Sequence, residues 1–255
     1  MEKKTTLITG ASSGIGKDLA YVYAENNYDL VLVARRKENL EKIKKEIEEK
    51  TKANVEIVSM DLANVKSAEQ LYEFIKKKNI KIKVLINNAG FGAYGDFIDT
   101  DIARDEGMVL LNMMTLTKLT KLFANDMKEA GGGNIVNIAS TGAFQPVPGI
   151  AIYAATKAYV LSFSEAIAFE LKKHKVFVTA ICPGPTKTEF AEVAQMSNNP
   201  FKNAPTAREL AEFTYKSMIK RKARAIHGLK NSLLAFSVKI MPRKLVLTFA
   251  EKVMK

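Results

Sequence analysis

The stretch TLITGASSGIGKDLA, residues 6–20, sets three glycines (Gly10, Gly14 and Gly16) between a short apolar run and a stretch of helical character. Leu7 and Ile8 read as the end of a strand, and the residues after Gly16 read as a helix. A strand, a glycine turn and a helix N-terminus make an anion site, because unpaired backbone N–H groups converge there with the positive end of the helix dipole. Two nucleotide motifs compete for such a loop. A P-loop needs Gly, four residues, then Gly-Lys-Ser/Thr. Here Ala11 stands in the first glycine's place, and Asp18 follows Lys17 and would set a negative charge near the phosphates. The P-loop reading is rejected. The dinucleotide fingerprint fits better, although the spacing is G-x-x-x-G-x-G rather than G-x-G-x-x-G. A plain glycine turn between strand and helix is the remaining alternative.

Outward from this loop, apolar β-rich runs alternate with helix-like stretches. The runs are TTLITG, YDLVLVAR, NVEIVSM, KVLINNAG, GNIVNIAS, VFVTAICPG and a last short RAIHG. They show little polar alternation, as expected of strands in a parallel sheet covered on both faces. The alternation predicts one Rossmann-like, doubly wound α/β domain with helices on both faces. Its dinucleotide-binding and catalytic body is expected over 1–228, with a basic amphipathic helical extension over 229–255.

The chain has 255 residues, 47% of them apolar, which suffices for one sizeable core. The N-terminus enters a strand almost at once, which leaves no room for a signal-peptide core, and no apolar stretch approaches a membrane span. A single cysteine, Cys182, excludes an internal disulfide framework and suits a reducing cytosol. Two histidines, His174 and His227, are too few and too far apart for a zinc site, so no metal is expected. The net charge of +12 is concentrated: from Lys216 to Lys255 there are 11 Lys or Arg and one acid, Glu251. The body is therefore nearly neutral, and with no recognition motif a nucleic-acid partner is not expected.

The second strand ends in VLVARRKENL, where Ala34 is followed by Arg35 and Arg36. An NAD site usually carries an acid at that place to bond the ribose 2′-hydroxyl. Two guanidiniums without an acid suit a 2′-phosphate instead, because arginine brings forked donors and a permanent charge. The alternative is that both only solvate the next helix. The loop is thus expected to hold the pyrophosphate of NADP(H). Further on, Tyr153 and Lys157 are i and i+4 on a predicted helix and share a face. Ser140 closes the preceding strand and can reach that face. A tyrosine beside an ammonium is expected to have a lowered pKa, making it a proton donor or acceptor near neutral pH.

With these motifs in order, the sequence resembles the short-chain dehydrogenase/reductase family, in its shorter single-domain branch, from Thr6 to about Glu189. TGASSGIG (9–16) matches the family's cofactor loop, and implies contacts from Gly10, Ser12, Ser13, Gly14, Ile15 and Gly16. Asp61 and Leu62 match the pair bordering the adenine. Asn87, Asn88, Ala89 and Gly90 match its sheet-stabilising, cofactor-flanking motif. Asn112 sits where the family's catalytic asparagine does, anchoring a water that passes protons to Lys157. Ser140, Tyr153 and Lys157 match the serine, tyrosine and lysine. PGPTKTEF (183–190) resembles the stretch around the nicotinamide, implying contacts from Pro183, Gly184, Thr186 and Thr188, with Thr188 on the carboxamide. Pro185-Thr186-Lys187 is more polar than the family's usual aliphatic there.

The resemblance implies an NADP-dependent reductase acting on a carbonyl or alcohol, working as a homo-dimer or homo-tetramer. Phe91, Tyr94, Phe190, Val193, Met196 and Phe201 suggest an apolar pocket under a lid, and hence a fairly apolar substrate. The basic, leucine-rich tail resembles those of hydroxysteroid and long-chain 3-ketoacyl reductases, which implies a steroid-like or ketoacyl one. An epimerase or dehydratase on the same scaffold is the nearest rival, and a nucleotide-sensing or membrane-binding module the rival from another class. After Pro242, Leu245, Phe249 and Val253 fall at i, i+4 and i+8 beside Arg243, Lys244, Lys252 and Lys255. Either this helix packs on the core, or 216–255 docks on an anionic membrane or a phosphate-bearing acyl carrier. A cytoplasmic protein, peripheral to the inner face of a membrane, is the corresponding expectation.

Overall fold

Seven strands form one parallel sheet in a computed structural model of the chain, which describes residues 4–195 and 204–254. They are β1 (Lys4–Thr9), β2 (Tyr28–Ala34), β3 (Val55–Ser59), β4 (Ile82–Asn87), β5 (Gly133–Ile138), β6 (Val176–Cys182) and β7 (Arg224–Ile226). The order is β3-β2-β1-β4-β5-β6-β7, with every neighbouring pair parallel. Sequence order runs outward in both directions from β1 and β4. That reversal opens a crevice at the carboxyl ends of the central strands, where ligands of such sheets bind.

Both faces are covered because the strands are apolar on both. On one side lie α1 (Gly14–Glu25), α2 (Lys37–Lys50) and α8 (Ala207–Ile219), closing a core of Ile8, Leu19, Tyr23, Leu32, Leu40, Ile47 and Leu210. α2 shows how a very polar helix is recruited: only Leu40, Ile43 and Ile47 are buried, at helical spacing, while its lysines and glutamates stay outside. On the other side α3 (Ser67–Lys77), α5 (Leu116–Glu129) and α6 (Ala151–Leu171) cover Leu7, Val33, Leu85 and Ile135. The strands expected from the apolar runs are all present, RAIHG included.

The helix expected around Leu110–Ala130 begins earlier, at α4 (Ile102–Val109), where the Asp101 side chain accepts from the Ala103 N–H as a cap. It then passes through one π-helical turn, Leu110–Thr115, into α5. At the C-terminus, α9 (Leu229–Ser237) and α10 (Arg243–Met254) follow β7. Their anchors are Ala235 and Val246, both about 5% exposed. The expected stripe is not what docks α10: Leu245 and Phe249 face outward, and the Val253 side chain and Lys255 lie outside the described part. Among the described residues no helix is long and apolar enough to cross a membrane.

Candidate active site

The glycine loop leaves β1 and enters α1 with Gly10 at φ +67° and Gly14 at φ +50°, a region that side chains with a Cβ rarely occupy. Gly16 meets a different limit: a Cβ there would run into the Gly10 carbonyl and the Asn88 amide. Asn88 is what seats the loop. Its Nδ2 donates to the carbonyls of Thr9 (2.9 Å) and Gly10 (3.2 Å), while Thr9 Oγ1 accepts from the N–H groups of Asn88 and Ala89. Ser13 is the N-cap of α1, yet its side chain makes no capping bond, so that hydroxyl is left for other partners. Ile15 packs against the core behind the loop.

Asn87 requires a correction. Its side chain is turned into the interior, donating to Thr120 Oγ1 and Asn137 Oδ1 at 2.9 Å each, so it is not a cofactor-facing group like Asn88. Successive residues at a strand end point to opposite faces, and here one asparagine serves the sheet and the next the loop. Asn137 continues the network to Ser164 Oγ at 2.8 Å. The reading of the sequence missed this chain of buried polar groups, although asparagine inside the apolar GNIVNI run was its available signal.

At the other end of the groove, β5 delivers Ser140 to a short turn, Thr141–Phe144, where Ser140 Oγ accepts from Gly142 N–H at 3.0 Å. α6 places Tyr153 and Lys157 on one face, and the Ser140 side chain is near enough to the Tyr153 hydroxyl to act on its pKa. Lys157 is 5% exposed; its Nζ donates to the Ile138 carbonyl at 2.8 Å and lies 5.7 Å from the Tyr153 ring centroid. The expected depression of the tyrosine pKa is not found. Desolvation pushes Tyr153 up to about 12, against a smaller downward pull from Ser140. Desolvation likewise brings Lys157 down to about 8. Burial therefore outweighs the charge at this distance.

Asn112 lies in the π-helical turn, 1% exposed. Its Nδ2 donates to the Phe91 carbonyl (3.0 Å) and to Thr156 Oγ1 (3.1 Å), and its Oδ1 accepts from Phe91 N–H (3.2 Å). The side chain thus makes three bonds to protein partners. Thr156, which also donates to the Tyr153 carbonyl at 2.7 Å, was not picked out from the sequence.

Arg36 reaches back across the loop to Ser12, Ser13 and Glu189, while Arg35 is exposed. Asp61 is exposed and accepts from Ala63 N–H; the Leu62 side chain is buried. The Pro183 carbonyl accepts from Thr141 N–H, and Gly184 lies directly under Asn231 of α9. Thr186 bonds the Gly184 carbonyl, and Thr188 packs over Gly14. Phe190, in α7 (Phe190–Val193), packs against Tyr153 with the rings tilted by 55° and 5.1 Å between centroids. Arg104 ties α4 to this segment through the Val193 carbonyl and Gln195 Oε1. Tyr94 N–H donates to the Ala194 carbonyl. Met196 and Phe201 lie outside the described residues.

A model of the family described as short chain dehydrogenase matches residues 4–199. The chain is 31% identical over 230 residues to the NADP-dependent 3-hydroxy acid dehydrogenase of Schizosaccharomyces pombe, covering 87% of this chain and 89% of that one. It is 32% identical over 194 residues to the human very-long-chain 3-oxoacyl-CoA reductase, covering 73% of this chain and 61% of the human protein. Among solved structures, a short-chain dehydrogenase from Sphingobium yanoikuyae in complex with NADPH is similar with a TM-score of 0.86 at 31% identity, over 95% of each chain.

Proposed function

Because the chain belongs to the short-chain dehydrogenase family, we propose that it is an NADP(H)-dependent oxidoreductase interconverting a carbonyl and an alcohol on a fairly apolar small molecule. The observation that carries this is the pairing of Tyr153 and Lys157 on one face of α6, with Lys157 Nζ 5.7 Å from the Tyr153 ring centroid and the Ser140 side chain near the Tyr153 hydroxyl. The loop suits a dinucleotide: two left-handed glycines, an uncapped α1 N-terminus and a guanidinium beside Ser13. The cofactor supplies the hydride when bound. Ser140 and Tyr153 bind the substrate oxygen, and Tyr153, protonated at neutral pH, gives it a proton. Lys157, fixed by the Ile138 carbonyl, would hold the nicotinamide ribose. Asn112, whose side chain fixes Phe91 and Thr156, would anchor a water that passes protons to Lys157.

Phe91, Tyr94 and Phe190 are read as the apolar wall. A panel of apolar ketones and aldehydes, followed by NADPH absorbance, tests the reading. Stoichiometric loss of NADPH is expected. Conversion without net loss would make the chain an epimerase or dehydratase, and nucleotide binding with no turnover would make it a sensing module.

The C-terminal segment is read as a surface that docks on an anionic bilayer. Leu229, Leu233, Leu234, Phe236, Ile240, Leu245 and Phe249 are all exposed on α9 and α10 or between them, within the stretch that has 11 cations and one acid. Each Lys or Arg near a negative membrane contributes about 1 kcal/mol. Replacing Arg243, Lys244, Lys252 and Lys255 with Gln should sharply reduce co-sedimentation with anionic vesicles at low salt, with cofactor binding unchanged. A wild-type chain that ignores such vesicles but binds a phosphopantetheine-bearing carrier would reassign the surface. A homo-dimer or homo-tetramer is supported by exposed Val109, Met114 and Phe169, and sedimentation velocity tests it.

A further inference from the structure

Arg36, the group read above as the receiver of a 2′-phosphate, already holds an anion. Its Nη2 donates to Glu189 Oε2 at 2.9 Å and to Ser13 Oγ at 2.6 Å, and its Nε to Ser12 Oγ at 3.3 Å. The Ser13 hydroxyl lies beside the same carboxylate and helps to lower its pKa, and Lys17 adds a nearby positive charge. Burial alone would raise the Glu189 pKa, but these partners more than offset it and keep the group ionised. A guanidinium, a serine hydroxyl and an ammonium around one carboxylate are also the contacts that a phosphate takes. Glu189 shares a groove of about 240 Å³ with Ser12, Ser13, Gly14 and Lys17. The pair is also built to open, since the two side chains keep 48% and 46% of their surface accessible.

We propose that Glu189 is an internal competitor for the 2′-phosphate of NADP(H) at Arg36 and Ser13, and so sets how strongly the chain prefers the phosphorylated cofactor. The proposal rests on the reading of Arg36 given above. A 2′-phosphate enters by taking Arg36 and Ser13 away from Glu189, whereas a cofactor without that phosphate leaves the pair closed. The competition therefore weakens NADP(H) binding selectively, and specificity is the difference between the two affinities. Glu189 also sits between Thr188, which packs on Gly14, and Phe190, whose ring lies against Tyr153. Opening the pair thus frees the residue that joins the phosphate end of the groove to the proton-handling end.

The test is calorimetric titration of the full chain with adenosine 2′,5′-bisphosphate and with 5′-AMP, which differ only in the 2′-phosphate. Glu189→Gln should tighten the bisphosphate about two- to fivefold, the range of an exposed ion pair, and leave AMP unchanged. Glu189→Ala should act in the same direction, which separates loss of the carboxylate from any contact the glutamine amide adds. In an Arg36→Ala background, Glu189→Gln should have no further effect, because the partner they compete for is gone. Weaker or unchanged bisphosphate binding in both Glu189 variants overturns the competitor. A wild-type chain that does not distinguish the two ligands overturns the reading of Arg36 itself, and the competitor with it.

Discussion

At one end of the groove, Lys157 and Asn112 are almost wholly buried and their polar atoms end on the protein's own groups: the Ile138 and Phe91 carbonyls and Thr156. At the other end, Arg36 and Glu189 meet half in solvent and hold one another rather than the fold. The first end is fixed in position before any ligand arrives, and its groups have strongly displaced pKa values because water is excluded. The second is a weak, exchangeable contact whose partners can be traded for a ligand's. Chemistry that needs a proton placed within an ångström is located where burial fixes geometry. Recognition that needs an anion to come and go is located where it does not. Substitutions at the two ends should differ accordingly in size and in kind.

The largest effect is expected from Tyr153→Phe. The ring and its tilted contact with Phe190 are kept, and only the hydroxyl that carries the proton is lost. Turnover should fall by about 10²–10⁴-fold, the usual contribution of a positioned acid, while NADPH affinity stays close to that of the wild type. A variant that reduces good substrates at nearly the wild-type rate would place proton transfer elsewhere and remove the contrast. Replacing Arg35 and Arg36 together with Ala should cost less and show in binding rather than in turnover. Charge-assisted bonds contribute roughly 1.5–3 kcal/mol each, so NADPH should weaken at least about tenfold with NADH little changed. Equal loss for both cofactors, or a wild-type preference for NADH, would show that the exposed end does not read the phosphate.

The buried end was the more legible in the sequence, but only as far as spacing goes. Tyr153 and Lys157 at i and i+4 declare a shared face, and the apolar runs declare parallel strands because both faces of the sheet are covered. What spacing cannot carry is desolvation. The expectation for Tyr153 counted the charge of Lys157 and not the loss of water, and burial reversed its sign. Asn87 and Asn88 are adjacent letters of one motif, yet the pleat sends one to Asn137 and the other to the glycine loop. The π-helical turn holding Asn112 has the same residue types as the helices around it, so nothing local marks it. Glu189 is 153 residues from Arg36, and only the fold brings them together.

The smallest effect concerns the energetic cost of the fixed end. No carboxylate among the described residues forms an ion pair with Lys157, and the Cys182 thiol, pushed up to about 12 by its own burial, stays neutral beside it. Burial lowers the lysine from 10.5 to about 8. Between those two values the unfolded chain binds more protons than the folded one, so this group makes stability rise with pH across that window. Below pH 8 both states carry the proton and the penalty, about 3 kcal/mol from the size of the displacement, is present in full. The bond to the Ile138 carbonyl and the packing of the side chain offset part of it. Lys157→Met should therefore be inactive yet more stable at pH 7 by about 1 kcal/mol, raising the melting temperature by about 2–4 °C. The gain should shrink as pH is raised from 8 towards 10, since the wild-type lysine then sheds its proton in the folded state. Measurements should stop near pH 10, because Tyr153, held at about 12, has the opposite sign above its unfolded value. A variant that melts lower than the wild type at pH 7, or a gain that stays level from pH 7 to 10, would mean that the buried ammonium is fully compensated by the Ile138 carbonyl. The two ends of the groove would then differ in geometry alone.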